Sequence, residues 1–166
     1  MRPRLHPLTA PTGDIGRCDD LIDKMVEQKI SVRIEDSETG QLALHKIARI
    51  GDKAEKLAKK LLNAGGEKRK DVNYQDKNGK TALHVGAEMG QMSFCKVLMD
   101  LDTNPLLLSD TGWTGLHSAV HSGNIAMVKS ILEHPNMRKA KKDMINKGDN
   151  QGRTPLHIAA FRSEDS

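Results

Sequence analysis

Seven histidines are the residues of this 166-residue chain most suited to chemistry. An imidazole can ligate zinc, move a proton or orient a nucleophile. Four of them close a Leu-His pair, at His45, His84, His117 and His157, with gaps of 39, 33 and 40 residues. Each pair sits inside a longer shared stretch: NGKTALHVGAEMG at 78–90 has relatives at 39–51, 111–123 and 151–163. The period therefore belongs to the architecture before it belongs to a reaction. His6, His121 and His134 fall outside the pattern. Cys18 and Cys95 lie on apolar stripes and read as buried thiols. No Gly-rich loop precedes a Lys-Ser or Lys-Thr pair, no Ser, His and Asp set follows from spacing, and no carboxylate pair stands out.

The elements that carry these histidines can be read from the same stretches. Asp76-Lys77-Asn78-Gly79 is turn chemistry, with glycine free to take positive φ. Thr81, Thr114 and Thr154 are placed to N-cap a helix, and Pro155 suits the first helical position. Gly51, Gly90 and Gly123 stop that first helix. A second helix follows each time, its apolar residues at i, i+3, i+4 and i+7: Ala54, Leu57, Ala58, Leu61 and Leu62, then Phe94, Cys95, Leu98 and Met99, then Met127, Val128, Ile131 and Leu132.

The 33-residue gap and the match to a Thr-Pro-Leu-His-x-Ala signature resemble the ankyrin-repeat family, closely over residues 36–163 and loosely over 13–35. The resemblance implies an all-α solenoid of helix-turn-helix units with β-turn fingers. It also implies that the repeat histidines support turn and inter-repeat hydrogen bonds. Stacked helices stand roughly 8–10 Å apart, too far for neighbouring histidines to share a metal. Ala43, Ala82 and Gly115 replace the family's Pro, and Leu42 replaces its capping Thr, which predicts a weaker first cap. Gly86 stands where Ala is usual, at about 1 kcal/mol relative to Ala.

The expected organisation is a poorly ordered Pro-rich tail over 1–12 and a degenerate N-terminal capping repeat over 13–35. Repeats follow over 36–75, 76–108 and 109–148, then a truncated one over 149–166. Ile158 and Phe161 of the last should have little covering, and the chain is expected to be cut from a longer array.

Apolar residues make up 37% and aromatics only 2%, which suits thin helix-on-helix layers built from aliphatic side chains and eight Met. No apolar run reaches membrane-span length, and the basic, Pro-rich N-terminus lacks the apolar core of a secretory signal. An intracellular setting is expected, cytoplasmic or nuclear. The net charge of +4 is local. Two insertions, one in each of the longer repeats, carry Lys68, Arg69 and Lys70, then Arg138, Lys139, Lys141 and Lys142. They read as solvated loops or as a basic patch for an acidic protein tail, an anionic lipid or nucleic acid. No aromatic interleaves with the charges, which argues against direct nucleic-acid binding.

The resemblance implies a concave face of finger tips and first helices. Its expected partner-binding residues are Lys77, Asn78, Lys80, Glu88, Met89, Trp113, Ser118, His121, Ser122 and Arg153, with Lys46 and Arg49 beside them. Trp113, the sole Trp, is either an interface anchor or a brace over adjacent fingers. A non-catalytic protein-interaction module follows, acting on another protein, with no cofactor, metal or small-molecule substrate, and expected as a monomer. A narrower alternative is an IκB-like inhibitor of a Rel-type transcription factor.

Overall fold

A computed structural model of the chain describes residues 35–51, 53–64, 72–101 and 103–164, with Asp20 and Lys24 ahead of them as exposed helical positions. From residue 35 onward the α-helices are α1 Ala43–Ile47, α2 Ala54–Ala64, α3 Ala82–Glu88, α4 Met92–Met99, α5 Gly115–His121, α6 Ile125–Glu133, α7 Lys141–Asn146 and α8 Pro155–Glu164. A 3₁₀ segment, Pro135–Ala140, links α6 to α7, and the described residues contain no strand. Within each unit a first helix packs on a second, α1 on α2, α3 on α4 and α5 on α6. Across units the first helices α1, α3, α5 and α8 stack in one row, and α2, α4 and α6 in another. The tail 1–12, most of 13–35 including Cys18, and the first insertion with Lys68, Arg69 and Lys70 lie outside the described residues.

Local chemistry explains the helix bounds. Thr81 and Thr114 are N-caps, their hydroxyls accepting the backbone N–H of His84 and His117 at 3.4 Å. Leu42 offers no such acceptor, and α1 has 5 residues against 7 in α3 and α5. At the other end of α3, Gly90 adopts φ +70°. There the N–H of Gln91 returns to Gly86 O at 2.9 Å and that of Gly90 to Ala87 O at 3.3 Å, closing a Schellman motif. Gly86 is a packing requirement: a Cβ on it would stand 2.8 Å from Cys95 Sγ and from the Phe94 ring. The absent side chain lets α4 approach α3.

One apolar core runs the length of the stack, from Leu44 through Leu57, Phe94, Leu98, Met127 and Ile131 to Met137 and Met144. The second insertion is therefore not a loop. Its Met137 and Met144, seven residues apart and fully buried, seat the 3₁₀ segment against α6 and α7 against α8. Asn136 Nδ2 adds a hydrogen bond to Met99 O at 2.9 Å. In the last unit the expectation fails for Ile158, which is buried beneath α8, and holds for Phe161, 61% exposed. Leu156 and His157 occupy positions that in α3 and α5 meet the next unit, and both are exposed.

Candidate protein-binding surface

The fingers are built on a repeated bond pattern. Asp76 Oδ1 accepts the N–H of Asn78 and of Lys80, both at 2.9 Å, and Asp149 Oδ1 does the same for Gln151 and Arg153. Each turn ends in a positive-φ glycine, among them Gly79 and Gly112. A Cβ on Gly112 would press 2.5 Å from the backbone nitrogen of Asn150 on the next finger, so this position needs glycine twice over. Successive fingers share one backbone bond: Lys77 N–H to Thr39 O at 3.0 Å, Asp110 N–H to Asn78 O at 3.0 Å, and Asn150 N–H to Thr111 O at 3.2 Å.

The repeat histidines tie this layer together and are not reactive groups. Thr81 N–H donates to His84 Nδ1 at 3.1 Å, and His84 Nε2–H donates to Trp113 O of the next finger at 2.8 Å. His45 Nε2–H reaches Lys80 O at 3.0 Å and His117 Nε2–H reaches Arg153 O at 3.2 Å. An acceptor on one ring nitrogen and a donor on the other fix the neutral imidazole with its proton on Nε2. Burial holds all three below the ordinary imidazole value. Burial also pushes the Cys95 thiol up to about 12, so it is no nucleophile. Among the described residues no three His, Cys, Asp or Glu side chains are grouped to hold a metal ion. Nor is any described helix long and apolar enough to cross a membrane.

On this frame two rows of side chains vary from unit to unit. Four residues before each repeat histidine stand Gln41, Lys80, Trp113 and Arg153, and four after stand Arg49, Glu88, His121 and Phe161. In the second unit the two rows meet as an ion pair, Lys80 Nζ to Glu88 Oε2 at 2.8 Å. In the third they meet as rings, Trp113 and His121 with centroids 4.9 Å apart. The first row also reaches forward. Gln41 Nε2 donates to Asp76 Oδ2 at 3.0 Å, and Trp113 Nε1 to Asp149 Oδ2 at 3.2 Å. Lys80 has no such partner, because the equivalent residue of the next finger is Ser109, and it turns to Glu88 instead.

Of the residues expected on this face, Lys77, Asn78, Met89 and His121 are exposed. Lys80, Glu88, Trp113 and Arg153 are half-buried. Lys46 and Arg49 are exposed as well, Lys46 pairing with Asp36 at 3.1 Å. Ser118 is a correction. It is 2% exposed, because the fourth position of α5 faces the neighbouring first helices, as Val85 and Ile158 do. Ser122 is half-buried with its hydroxyl turned inward, 2.9 Å from Ala119 O and 3.3 Å from Ala87 O. Phe161 was missed, though its place four residues after His157 marks the same row as His121. Arg138, Lys139, Lys141 and Lys142 are exposed on the 3₁₀ segment and α7.

Stacked turn-helix-helix units with a hydrogen-bonded frame and a varied outer row define a repeat solenoid. The sequence profile described as Ankyrin repeats (3 copies) matches residues 14–107 and 102–166. The chain belongs to the ankyrin-repeat family. It is 30% identical over 145 residues to a transient receptor potential cation channel subfamily A member 1 homolog of Caenorhabditis elegans, covering 87% of this chain and 11% of the relative. It is 24% identical over 184 aligned positions to human SH3 and multiple ankyrin repeat domains protein 2, covering 90% of this chain and 9% of that protein. It is 40% identical over 63 residues to 26S proteasome non-ATPase regulatory subunit 10 of Dictyostelium discoideum, covering 37% of this chain and 27% of that one. The chain thus spans about a tenth of the first two and about a quarter of the third.

Proposed function

We propose that the chain is a non-catalytic protein-interaction module within a larger intracellular regulatory or scaffold protein, binding a protein partner on its concave finger and first-helix face. One observation carries the reading. The frame bonds of Asp, Gly, Thr and His recur from unit to unit, while the positions four residues either side of the histidine change chemistry each time. A constant frame with a variable display suits recognition of an irregular protein surface better than a reaction. The exposed Met89 and the half-exposed Trp113 supply apolar contact area, and Lys80, Glu88 and Arg153 supply polar contacts. Two relatives of which this chain spans about a tenth support a role as part of a longer chain. The narrower reading as a Rel-factor inhibitor is carried by no residue of this chain.

The test is affinity capture from a cell lysate followed by mass spectrometry. The baits are the intact chain and the variant Met89→Glu with His121→Glu, both positions being exposed. Matching circular dichroism and melts for both baits come first. A partner held by the intact chain and lost by the variant is the expected result. A partner retained by the variant but lost when Arg138, Lys139, Lys141 and Lys142 become Gln would move the site to the basic segment.

A further inference from the structure

We infer that the second insertion is a docking element for an anionic membrane surface, meeting lipid headgroups with Arg138, Lys139, Lys141 and Lys142 and seating Ile145 among them. It is a second surface, built from residues that the finger and first-helix face does not use.

Residues 135–147 hold five cations and one carboxylate, Asp143. The helices beside them do not offset that excess. The end of α4, joined to the segment through Asn136 and His134, carries Lys96 and Asp100. The helix α6 carries Lys129 and Glu133, and α8 carries Arg162 and Glu164. Each of these pairs sums to zero. Arg138, Lys139, Lys141 and Lys142 are exposed, and no carboxylate among the described residues pairs with them.

The charges ride on a fixed element. Met137 and Met144 are fully buried, and Asn136 Nδ2 donates to Met99 O at 2.9 Å, so the segment is ordered before any surface arrives. Met144 faces inward. At about 100° per residue, Lys142 and Asn146 then point outward, Lys141 and Ile145 fall on one flank of α7, and Asp143 falls on the other. Ile145 is 41% exposed and stands between Lys141 and Lys142 around the helix. An isoleucine set between two ammonium groups buries its apolar surface when a headgroup layer closes over it.

The same residues argue against other polyanions. The segment is helical and offers no open sheet edge to which an acidic peptide could add. Four of its five cations are Lys, point charges without the fixed fork of Arg, which suit a diffuse negative potential better than one placed carboxylate. Residues 135–147 include no aromatic side chain on which a base could stack.

The experiment is cosedimentation of the purified chain with vesicles of equal parts phosphatidylcholine and phosphatidylserine, against vesicles of phosphatidylcholine alone. The expected result is binding to the anionic vesicles only, weakening as salt is raised. Lys141→Gln with Lys142→Gln should lower the partition coefficient roughly tenfold or more, and Ile145→Ser should lower it severalfold. Lys53→Gln with Lys56→Gln removes the same charge from the first unit and should bind as the intact chain does. All five positions are exposed, and matching circular dichroism checks that each variant folds. Equal binding to both vesicles, no binding, or equal losses for the two charge variants overturns the proposal. Binding to polyglutamate or to RNA that Lys141→Gln with Lys142→Gln abolishes, with none to the anionic vesicles, also overturns it and assigns the segment to an acidic protein or a nucleic acid.

Discussion

Trp113 reaches across to the next finger and donates its indole N–H to Asp149 at 3.2 Å, repeating in the third and fourth units the bond that Gln41 makes to Asp76 in the first and second. The bond makes Trp113 a brace as well as a presented ring, so the two readings of the residue describe two ends of one side chain. Trp113→Phe keeps an aromatic surface and removes the donor. Asp149 retains Arg153 and two backbone N–H groups, so the expected loss is about 1 kcal/mol in urea denaturation followed by circular dichroism. Asp149→Ala removes the turn acceptor, the Arg153 partner and the Trp113 acceptor together, and should cost about 2–3 kcal/mol.

The buried histidines predict a loss of stability on mild acidification. His45, His84 and His117 have folded values lowered from 6.5, chiefly by burial, so below that pH the unfolded chain binds protons that the folded chain refuses. Their contribution is fully present above about pH 6.5 and is lost as pH falls, at up to about 1.4 kcal/mol per pH unit for each group. Asp36 and Asp149 act in a lower window. The N–H of Thr39 and the Lys46 ammonium depress Asp36, and for Asp149 burial raises the value while the bonds from Arg153, Gln151 and Trp113 overcome it. Their stabilisation survives until the pH falls into the carboxylate range. Melting temperatures from pH 8 to pH 3 should show two successive declines. His84→Gln should make the upper one shallower.

Gly86→Ala should invert the usual helix rule. On an exposed helix the change stabilises by about 1 kcal/mol. Here the new methyl meets Cys95 Sγ and the Phe94 ring at 2.8 Å, and the expected outcome is a destabilisation of about 1–3 kcal/mol. Adding Cys95→Ala removes one of the colliding atoms, so the double variant should lose less than the sum of the two singles. Chemical denaturation of the four proteins measures the coupling.

The frame was legible in the sequence because its bonds are local. Asp, Gly, Thr and His act over three to five residues, and no tertiary knowledge is needed to see that Gly79, Thr81 and His84 belong together. Burial at a given helix position is less local. Ser118 looks polar and available, but its exposure depends on which side of α5 meets α3, and the fourth position is buried in α3, α5 and α8 as Val85, Ser118 and Ile158, whereas in α1 it is the exposed Lys46. The pairs between units, Gln41 with Asp76 and Trp113 with Asp149, needed two registers aligned at once, the base of one finger and the first residue of the next. In the second insertion the charge run drew the reading toward a loop. The seven-residue spacing of Met137 and Met144 was the signal of a seated helix and outweighed it.

That last segment separates anchoring from display, and the two can be measured apart. Met137 and Met144 are fully buried, so truncating either to Ala should cost about 2–5 kcal/mol, as expected when a core side chain leaves a cavity. Arg138, Lys141 and Lys142 are exposed, and no carboxylate among the described residues pairs with them. Lys142 stands in the first turn of α7, where a positive charge opposes the helix dipole by about 0.3–1 kcal/mol at low salt. Lys142→Gln should therefore leave stability unchanged or raise it by that amount at low salt, with the gain fading as salt screens the repulsion. Denaturation midpoints of Met144→Ala and Lys142→Gln at two ionic strengths decide the matter. A large loss for Lys142→Gln would mean that the charges themselves hold the segment, and the methionines would no longer explain why it folds.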